Sequence, residues 1–526
     1  MRKPGRDQRN HRDHRTHKKH RKAAIVTSPV IVVGAGPTGL TLAAELRIAG
    51  VPVVLLERDP VPRGESRGMG LHARTVEVLH QRGAGHRFRT PDTPVWPRLH
   101  FSLFWLDLSE TGDDAYTLAV PQWRTEQVLE EWAVELGTEI RRGHEVIGVD
   151  QSEEEVTVRV RGPEGEYALA GAYLVGADGG HSAVRKLTGF AFPGTGSSFY
   201  GVLGDLAVPP GGTADYRVNL YPGGLYAEVP LEGGTKLRLM TTEFDVEPPP
   251  AGTPVTDDEL RAAVKRLTGS EREFDTTLWR SRFGNATRIA EQYRIGRVFL
   301  AGDAAHVHYP IGGQGLNTGV QDAVNLGWKL AAAVRGDAPD GLLDSYHDER
   351  HPVGRQVCMN TQAQIALMHP LDSVGPLREL FGELAALPEV NRYLLEMVTG
   401  TGFRYAMPYA DGSAHELLGL RVPDLPLVTA DGDGPDGIAA ALHPGRAVLL
   451  HLDPDTAPPP TAGWGDRLRT VVARPVPGLD ATSLLIRPDG HIAHAGHDPH
   501  DPLLRTALTT WLGEPGSHDG AEGRTA

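Results

Sequence analysis

The chain has 526 residues, 40% of them hydrophobic, and its 53 Lys and Arg against 67 Asp and Glu give a formal net charge of -14. That length suggests about three domains, the acidic balance speaks against nucleic acid as a partner, and the 63 Gly and 41 Pro follow no three-residue period, which excludes collagen. The single cysteine, Cys358, excludes an internal disulfide, a CxxC redox pair and a Cys-based zinc site, and favours the cytoplasm over an oxidising compartment.

Residues 2–22 carry ten Lys or Arg, two Asp and four His. They lack the apolar run of a secretory signal, so residues 1–28 are expected to be a disordered basic tail. No run of about 18 apolar residues occurs anywhere, so no membrane-spanning helix is expected. Pro29–Val33 reads PVIVV, a short buried strand. Gly34-Ala-Gly36-Pro37-Thr38-Gly39 follows, then the helical stretch LTLAAELRIAG, then VPVVLLE, a second strand ending at Glu57 and followed by Arg58. Strand, glycine turn, helix, strand and terminal acid make a dinucleotide site. Gly34 permits the tight turn, Gly36 admits a pyrophosphate, and Gly39 lets the helix approach the strand. The helix N-terminus offers free N–H groups to phosphate. Glu57 can accept from ribose hydroxyls. The motif alone leaves FAD and NAD open.

Later segments continue the pattern. YLVGA is a strand that ends in Asp178-Gly179 and a basic helix start reaching Arg185. Residues 195–290 alternate apolar and polar between Gly/Pro turns, which predicts an antiparallel sheet. RVFLA ends in Gly302-Asp303, the loop Pro310–Gly315 follows, and a helix is expected from near Leu316. Residues 335–415 read as helical. Residues 420–515 read as an αβ unit with a hairpin turning at Pro488-Asp-Gly490. His306 and His308 lack an evident third ligand, so no metal is expected.

Together the GxGxxG, DG and GD landmarks resemble the single-component FAD-dependent aromatic hydroxylases, the para-hydroxybenzoate hydroxylase-like flavoprotein monooxygenases, over roughly residues 29–400. The resemblance implies an α/β fold: a Rossmann-like FAD domain with an inserted antiparallel substrate sheet. It implies noncovalent FAD, transient NADPH or NADH, and dioxygen activated as a hydroperoxide on the flavin C4a carbon. Asp303 would bind the ribityl chain. Asp178, Gly179 and Arg185 would contact FAD and serve NAD(P)H. Arg67 would reach the pyrophosphate and Gln122 the flavin. Pro310, Gly312 and Gly313 would lie against the reactive carbon, with no side-chain nucleophile. Gly315, Leu316 and Asn317 would present bare amides, expected at 316–318, to the reduced flavin's negative edge. Tyr221, Tyr226 and Phe283 are candidate pocket aromatics.

A narrower resemblance rests on ESRGMGLHARTVEVL, GQGLNTGVQDAVNLGWKL and LLIRPDGHIAHA, among other segments. It is to polyketide hydroxylases of actinobacterial antibiotic pathways, the angucycline hydroxylases above all. It implies a polycyclic aromatic polyketide substrate and hydroxylation, with a Baeyer–Villiger outcome or a non-catalytic flavin scaffold as alternatives. The expected divisions are 29–195 and 291–415 for FAD, 196–290 for substrate, 416–515 for a thioredoxin-like unit without cysteine, and 516–526 for a disordered tail. Nucleic acid and membrane are not expected partners; a homo-oligomer is compatible.

Overall fold

The computed structural model describes residues 28–516, apart from 97–98, 109–115, 210–211, 213, 251, 275–276, 412–414, 431 and 499. Nearly all of both expected terminal tails lies outside these residues.

The chain opens with β1 (Val30–Val33), α1 (Pro37–Ile48), β2 (Val53–Glu57), α2 (Gln122–Glu135), β3 (Glu139–Arg142), β4 (Tyr173–Gly176) and the short α3 (Ala183–Leu187). An antiparallel layer follows: β5 (Tyr200–Ala207), β6 (Arg217–Tyr221), β7 (Gly224–Leu231), β8 (Lys236–Glu243), α4 (Asp257–Thr268) and β9 (Thr277–Gly284). The chain then returns as β10 (Val298–Leu300), α5 (Gln314–Arg335), α6 (Ser345–Ala366) and α7 (Leu371–Ala385). It closes with β11 (Ala447–His451), β12 (Leu468–Val472), β13 (Ser483–Ile486), β14 (Ile492–Gly496) and α8 (Pro502–Leu512).

The first sheet runs β10-β4-β1-β2-β3, all parallel, with Arg294–Ile295 added at one edge. Its central strands are buried on both faces, which is why they read as unbroken apolar runs. Because β10, β4 and β1 are neighbours, the turns after them converge. Gly302-Asp303, Asp178-Gly179 and Gly34 therefore meet at one edge, although they are far apart in sequence. Two glycines there have no substitute. Gly34 sits at φ +107°, and a Cβ on it would fall 2.4 Å from the Ala177 carbonyl oxygen. A Cβ on Gly39 would fall 2.0 Å from the Gly34 oxygen.

The second sheet runs β6-β7-β8-β5-β9. One face carries Tyr200, Val202, Leu237 and Leu239 against Leu260 and Val264 of α4. The other looks towards the Pro310–Gly315 loop. Strand pleating assigns each residue to one face, so the register decides which side chains can reach a ligand.

The last sheet runs β12-β11-β13-β14. β11 and β12 are parallel, and β13 is antiparallel to both of its neighbours. This unit is fused to the rest through buried contacts: Trp511 of α8 packs in one cluster with Trp328 of α5 and Val353 of α6. Arg487 donates to Glu349 of α6 and to Asp489, both at 2.5 Å, and Glu349 also accepts from Lys329 of α5 at 2.7 Å. Among the described residues, no helix is long and apolar enough to cross a membrane.

Candidate active site

The turn after β1 is built for a dianionic ligand. A Cβ on Gly36 would meet nothing within 4 Å, so the backbone is open on that side. The start of α1 has Pro37 in its first turn and no side-chain cap, which leaves its amides free. Across the turn, Glu57 is held with its carboxylate displayed. Oε2 accepts from the Ala35 amide at 2.8 Å and Oε1 from the Asp59 amide at 2.9 Å. Arg58 beside it is exposed.

Asp303 follows β10 in a short turn. Its carboxylate is exposed, and a Cβ on Gly315 would lie 3.5 Å from its Oδ1. The Asp303 turn therefore faces the start of α5. That helix begins at Gln314, two residues earlier than expected, because Gly312 and Gly313 take φ values of +72° and +66° and turn the chain directly into it. No side chain caps it. The free amides therefore fall at Gln314–Leu316, rather than at 316–318. An open glycine turn, a displayed acid on each side and an uncapped helix form a cradle that fits FAD. FAD, when bound, supplies the redox and oxygen chemistry; the chain binds and orients it.

Other expected contacts serve the cradle's shape. Asp178 caps α3: Oδ1 accepts from the Ser182 hydroxyl at 2.5 Å, and Oδ2 from the amides of Ala183 and Val184 at 2.6 and 3.1 Å. Arg185 is buried and donates to the carbonyls of Ala304 and Gly180, both at 2.8 Å, while its guanidinium lies 3.8 Å from the Phe192 ring centroid. It ties the Asp178-Gly179 turn to the Asp303 turn. Asn317 is a clamp as well. Its Oδ1 accepts from the His72 amide at 2.8 Å, and its Nδ2 donates to Gly313 O at 2.9 Å. Gln122 pairs with the Gly68 backbone, its Oε1 accepting the amide at 3.0 Å, and a Cβ on Gly68 would lie 3.6 Å from Leu316. Arg67 is exposed, and its guanidinium reaches Ser281 of β9 at 3.5 Å.

The pocket aromatics divide by strand register. Phe283 lies opposite Gly201 and shares its face with Thr242. It packs with Phe199, Phe244, Tyr309 and Ile311 beside the glycine loop. Tyr226 lies opposite Thr241, one residue out of phase with Thr242, and Tyr221 lies opposite Gly224 on the same side. Both pack with the α4 cluster, and Tyr226 donates to Glu228 at 2.5 Å. The pleat thus turns Tyr221 and Tyr226 away from the glycine loop.

Sequence reasoning missed three supporting residues. His72 is buried: Nε2–H donates to Gly312 O at 3.0 Å and Nδ1 accepts from the Thr117 hydroxyl at 3.1 Å. Burial lowers its pKa to about 4, the Gly312 bond opposing, so the ring is neutral and its tautomer is fixed by its partners. Asp322 of α5 accepts from the Gly302 amide at 3.0 Å, from His306 Nε2 at 2.8 Å and from Arg350 Nε at 2.6 Å. Burial pushes its pKa up, but Arg350 and His306 prevail and hold it below the usual range. Arg238 of β8 pairs with Asp205 and donates to the carbonyls of Ser66 and Arg67, fastening the second sheet to the first domain. His72 stood inside a segment already singled out, but no spacing marked it. Arg238 was readable as a charged residue in phase with Met240 and Thr242.

Two family models match the chain: the FAD binding domain over residues 27–361 and the aromatic-ring hydroxylase C-terminal region over residues 415–515. The chain belongs to the FAD-dependent aromatic-ring hydroxylases. The 12-dehydrotetracycline 5-monooxygenase/anhydrotetracycline 6-monooxygenase of Streptomyces rimosus is 43% identical, with 92% of this chain and 99% of that protein covered. The dialkyldecalin synthase of Streptomyces rugosporus is 44% identical, covering 93% and 99%. The solved structure of CabE, an aromatic hydroxylase from angucycline biosynthesis, superposes with a TM-score of 0.84 at 42% identity, covering 93% of this chain and all of that one. This hydroxylase is accordingly an FAD-dependent monooxygenase of the aromatic polyketide type, with NAD(P)H as the reductant usual for the class.

Proposed function

We propose that this enzyme hydroxylates a fused-ring phenolic polyketide of angucycline-like size, using noncovalent FAD, NAD(P)H and dioxygen in the cytoplasm. The observation that carries the reading is the cluster of Phe199, Phe244, Phe283, Tyr309 and Ile311 packed beside the glycine loop. Burying a flat polycycle there removes apolar area from water at about 25 cal/mol per Å², which fixes the reactive carbon near the flavin. A single ring buries too little to be held. The oxygen-transfer step belongs to the reduced flavin and dioxygen. The chain contributes a dry, aromatic, oriented site.

A tetracyclic angucyclinone should stimulate NADPH oxidation and gain one oxygen atom from heavy dioxygen, read by mass spectrometry. Carbon NMR of the product should show a new phenol carbon and no lactone. Efficient turnover of 4-hydroxybenzoate with no response to the polycycle would overturn the substrate class.

We also infer that the C-terminal sheet is a thioredoxin-like unit. The parallel β11/β12 pair extended by the antiparallel β13/β14 hairpin supports this. Without a cysteine, it acts through packing.

A further inference from the structure

The rings of the pocket form a file that ends on a histidine. Tyr309, the residue before Pro310, lies 5.7 Å from Phe199 between ring centroids. Phe199 lies 5.1 Å from Phe244, and Phe244 lies 4.8 Å from His369. One end of the file therefore adjoins the glycine loop, and His369 stands at the other, just before α7. At the near end, the hydroxyls of Tyr309 and Thr242 satisfy each other at 2.9 Å. Burial raises the Tyr309 pKa to about 12, the Thr242 bond opposing, so that phenol stays neutral and supplies no base.

His369 is differently placed. Its Nε2 lies 3.3 Å from Oδ1 of Asp245, whose side chain is 73% exposed. Among the described residues, its buried Nδ1 has no hydrogen-bond partner. With the ring proton on Nε2, at ion-pair distance from the carboxylate, Nδ1 presents a bare lone pair beside the Phe244 ring. A buried polar atom left without a partner is destabilising, and a ligand O–H would satisfy it.

We propose that His369, oriented by Asp245, is the general base that takes the proton of the substrate's phenolic hydroxyl. The assignment rests on the polycyclic-phenol reading above. The O–H bond breaks and an N–H bond forms at Nδ1; the electron pair stays on the phenol oxygen and spreads through the conjugated rings towards the carbon at the glycine loop. The imidazolium is held by the Asp245 carboxylate, which faces solvent and gives the proton a way out. A base several rings from the reacting carbon can serve only a conjugated substrate that spans the file. This ties the residue to substrate size as well as to proton transfer.

The test is spectroscopic and needs no turnover. The probe is 2-hydroxyanthraquinone, a three-ring phenol whose visible band moves to the red on ionisation. It is added to the oxidised holoenzyme at a pH where the free probe is on the order of one tenth ionised. Wild type should bind it with the ionised band dominant. His369→Gln should bind it within about threefold in affinity and show the neutral band. Asp245→Asn, a change at an exposed position, should reduce the ionised fraction. An undiminished ionised band in a folded His369→Gln or Asp245→Asn protein overturns the assignment and leaves the substrate class standing. Failure of wild type to bind the probe overturns the polycyclic-phenol reading, and the assignment with it.

Discussion

Replacing His72 by Phe tests whether the flavin-facing loop is held from behind. The ring is 3% exposed and joins Gly312 O to the Thr117 hydroxyl. Phe keeps the bulk and removes both bonds. The backbone clamp, in which the His72 amide donates to Asn317 Oδ1, survives the change, so the perturbation is local. Thr117 can rotate to another acceptor, but the Gly312 carbonyl cannot move without its peptide. Leaving it unpaired costs about 1–3 kcal/mol. The free variant relieves that cost by turning the Gly312 peptide to water. The left-handed pair at 312 and 313 must then be rebuilt when FAD binds. At about 1.4 kcal/mol per factor of ten, FAD affinity should fall roughly five- to a hundredfold. Quenching of flavin fluorescence on titration into the apoprotein measures it, with circular dichroism as the control for folding. Unchanged FAD affinity in a folded variant would refute the argument and reduce His72 to a packing residue.

Glu57→Ala should weaken FAD by about 1–3 kcal/mol, the scale for an unpaired ribose hydroxyl, in the same titration. Arg487→Met leaves Glu349 and Asp489 buried without their shared partner and should lower global stability by about 3–5 kcal/mol in urea; a loss below roughly 1 kcal/mol would show that Lys329 alone suffices. Stability should fall as the pH drops from about 6.5 to about 4. Burial lowers His72 and His100 to about 4 and His491 to about 3, so in that window the unfolded chain binds more protons than the folded one. His72 alone contributes on the order of 3 kcal/mol. Flat urea midpoints between pH 7 and pH 5 would contradict the burial of these rings as neutral bases. Cys358→Ser should leave the rate of NADPH oxidation within about twofold, since the thiol is buried, raised by that burial to about 11, and remote from any proposed step.

The parts of the site made from backbone were legible in the sequence. Gly34–Gly39, Glu57 and Gly302-Asp303 announce themselves because a tight turn, a close approach and a displayed acid each demand particular residue types at fixed spacing. The start of α5 was misjudged by two residues, because the positive φ at Gly312 and Gly313 compresses the loop more than a list of glycines reveals. Side-chain roles were less legible. Asp178 and Arg185 lie where the family pattern puts them, yet their atoms are engaged in a helix cap and a carbonyl clamp. Burial of that kind is a property of the fold rather than of local spacing. Tyr221, Tyr226 and Phe283 looked equivalent as aromatics in alternating strands. Only the pairing of Leu225 with Thr242, and of Gly201 with Phe283, shows which phase of the pleat faces the loop. His72, Asp322 and His369 act through partners between 16 and 245 residues away in sequence, and no local pattern encodes such partners.

That division of labour bears on how one scaffold supports different outcomes. This chain is 43% identical to a tetracycline-type monooxygenase and 44% identical to a dialkyldecalin synthase, so overall likeness does not discriminate between them. In this structure, the flavin cradle is drawn mainly from backbone amides and turns that side-chain change scarcely touches. On the proposed function, the pocket would be drawn from side chains on one face of the second sheet, from Tyr309 and from the segment leading into α7. Substitutions on that face, at Phe283 or Thr242, alter what can lie against the loop while leaving Gly34, Glu57 and Asp303 as they are. Substitutions on the opposite face, at Tyr226 or Leu239, act on the packing of α4 instead. Substrate choice can therefore drift on one side of a five-stranded sheet without disturbing the cofactor.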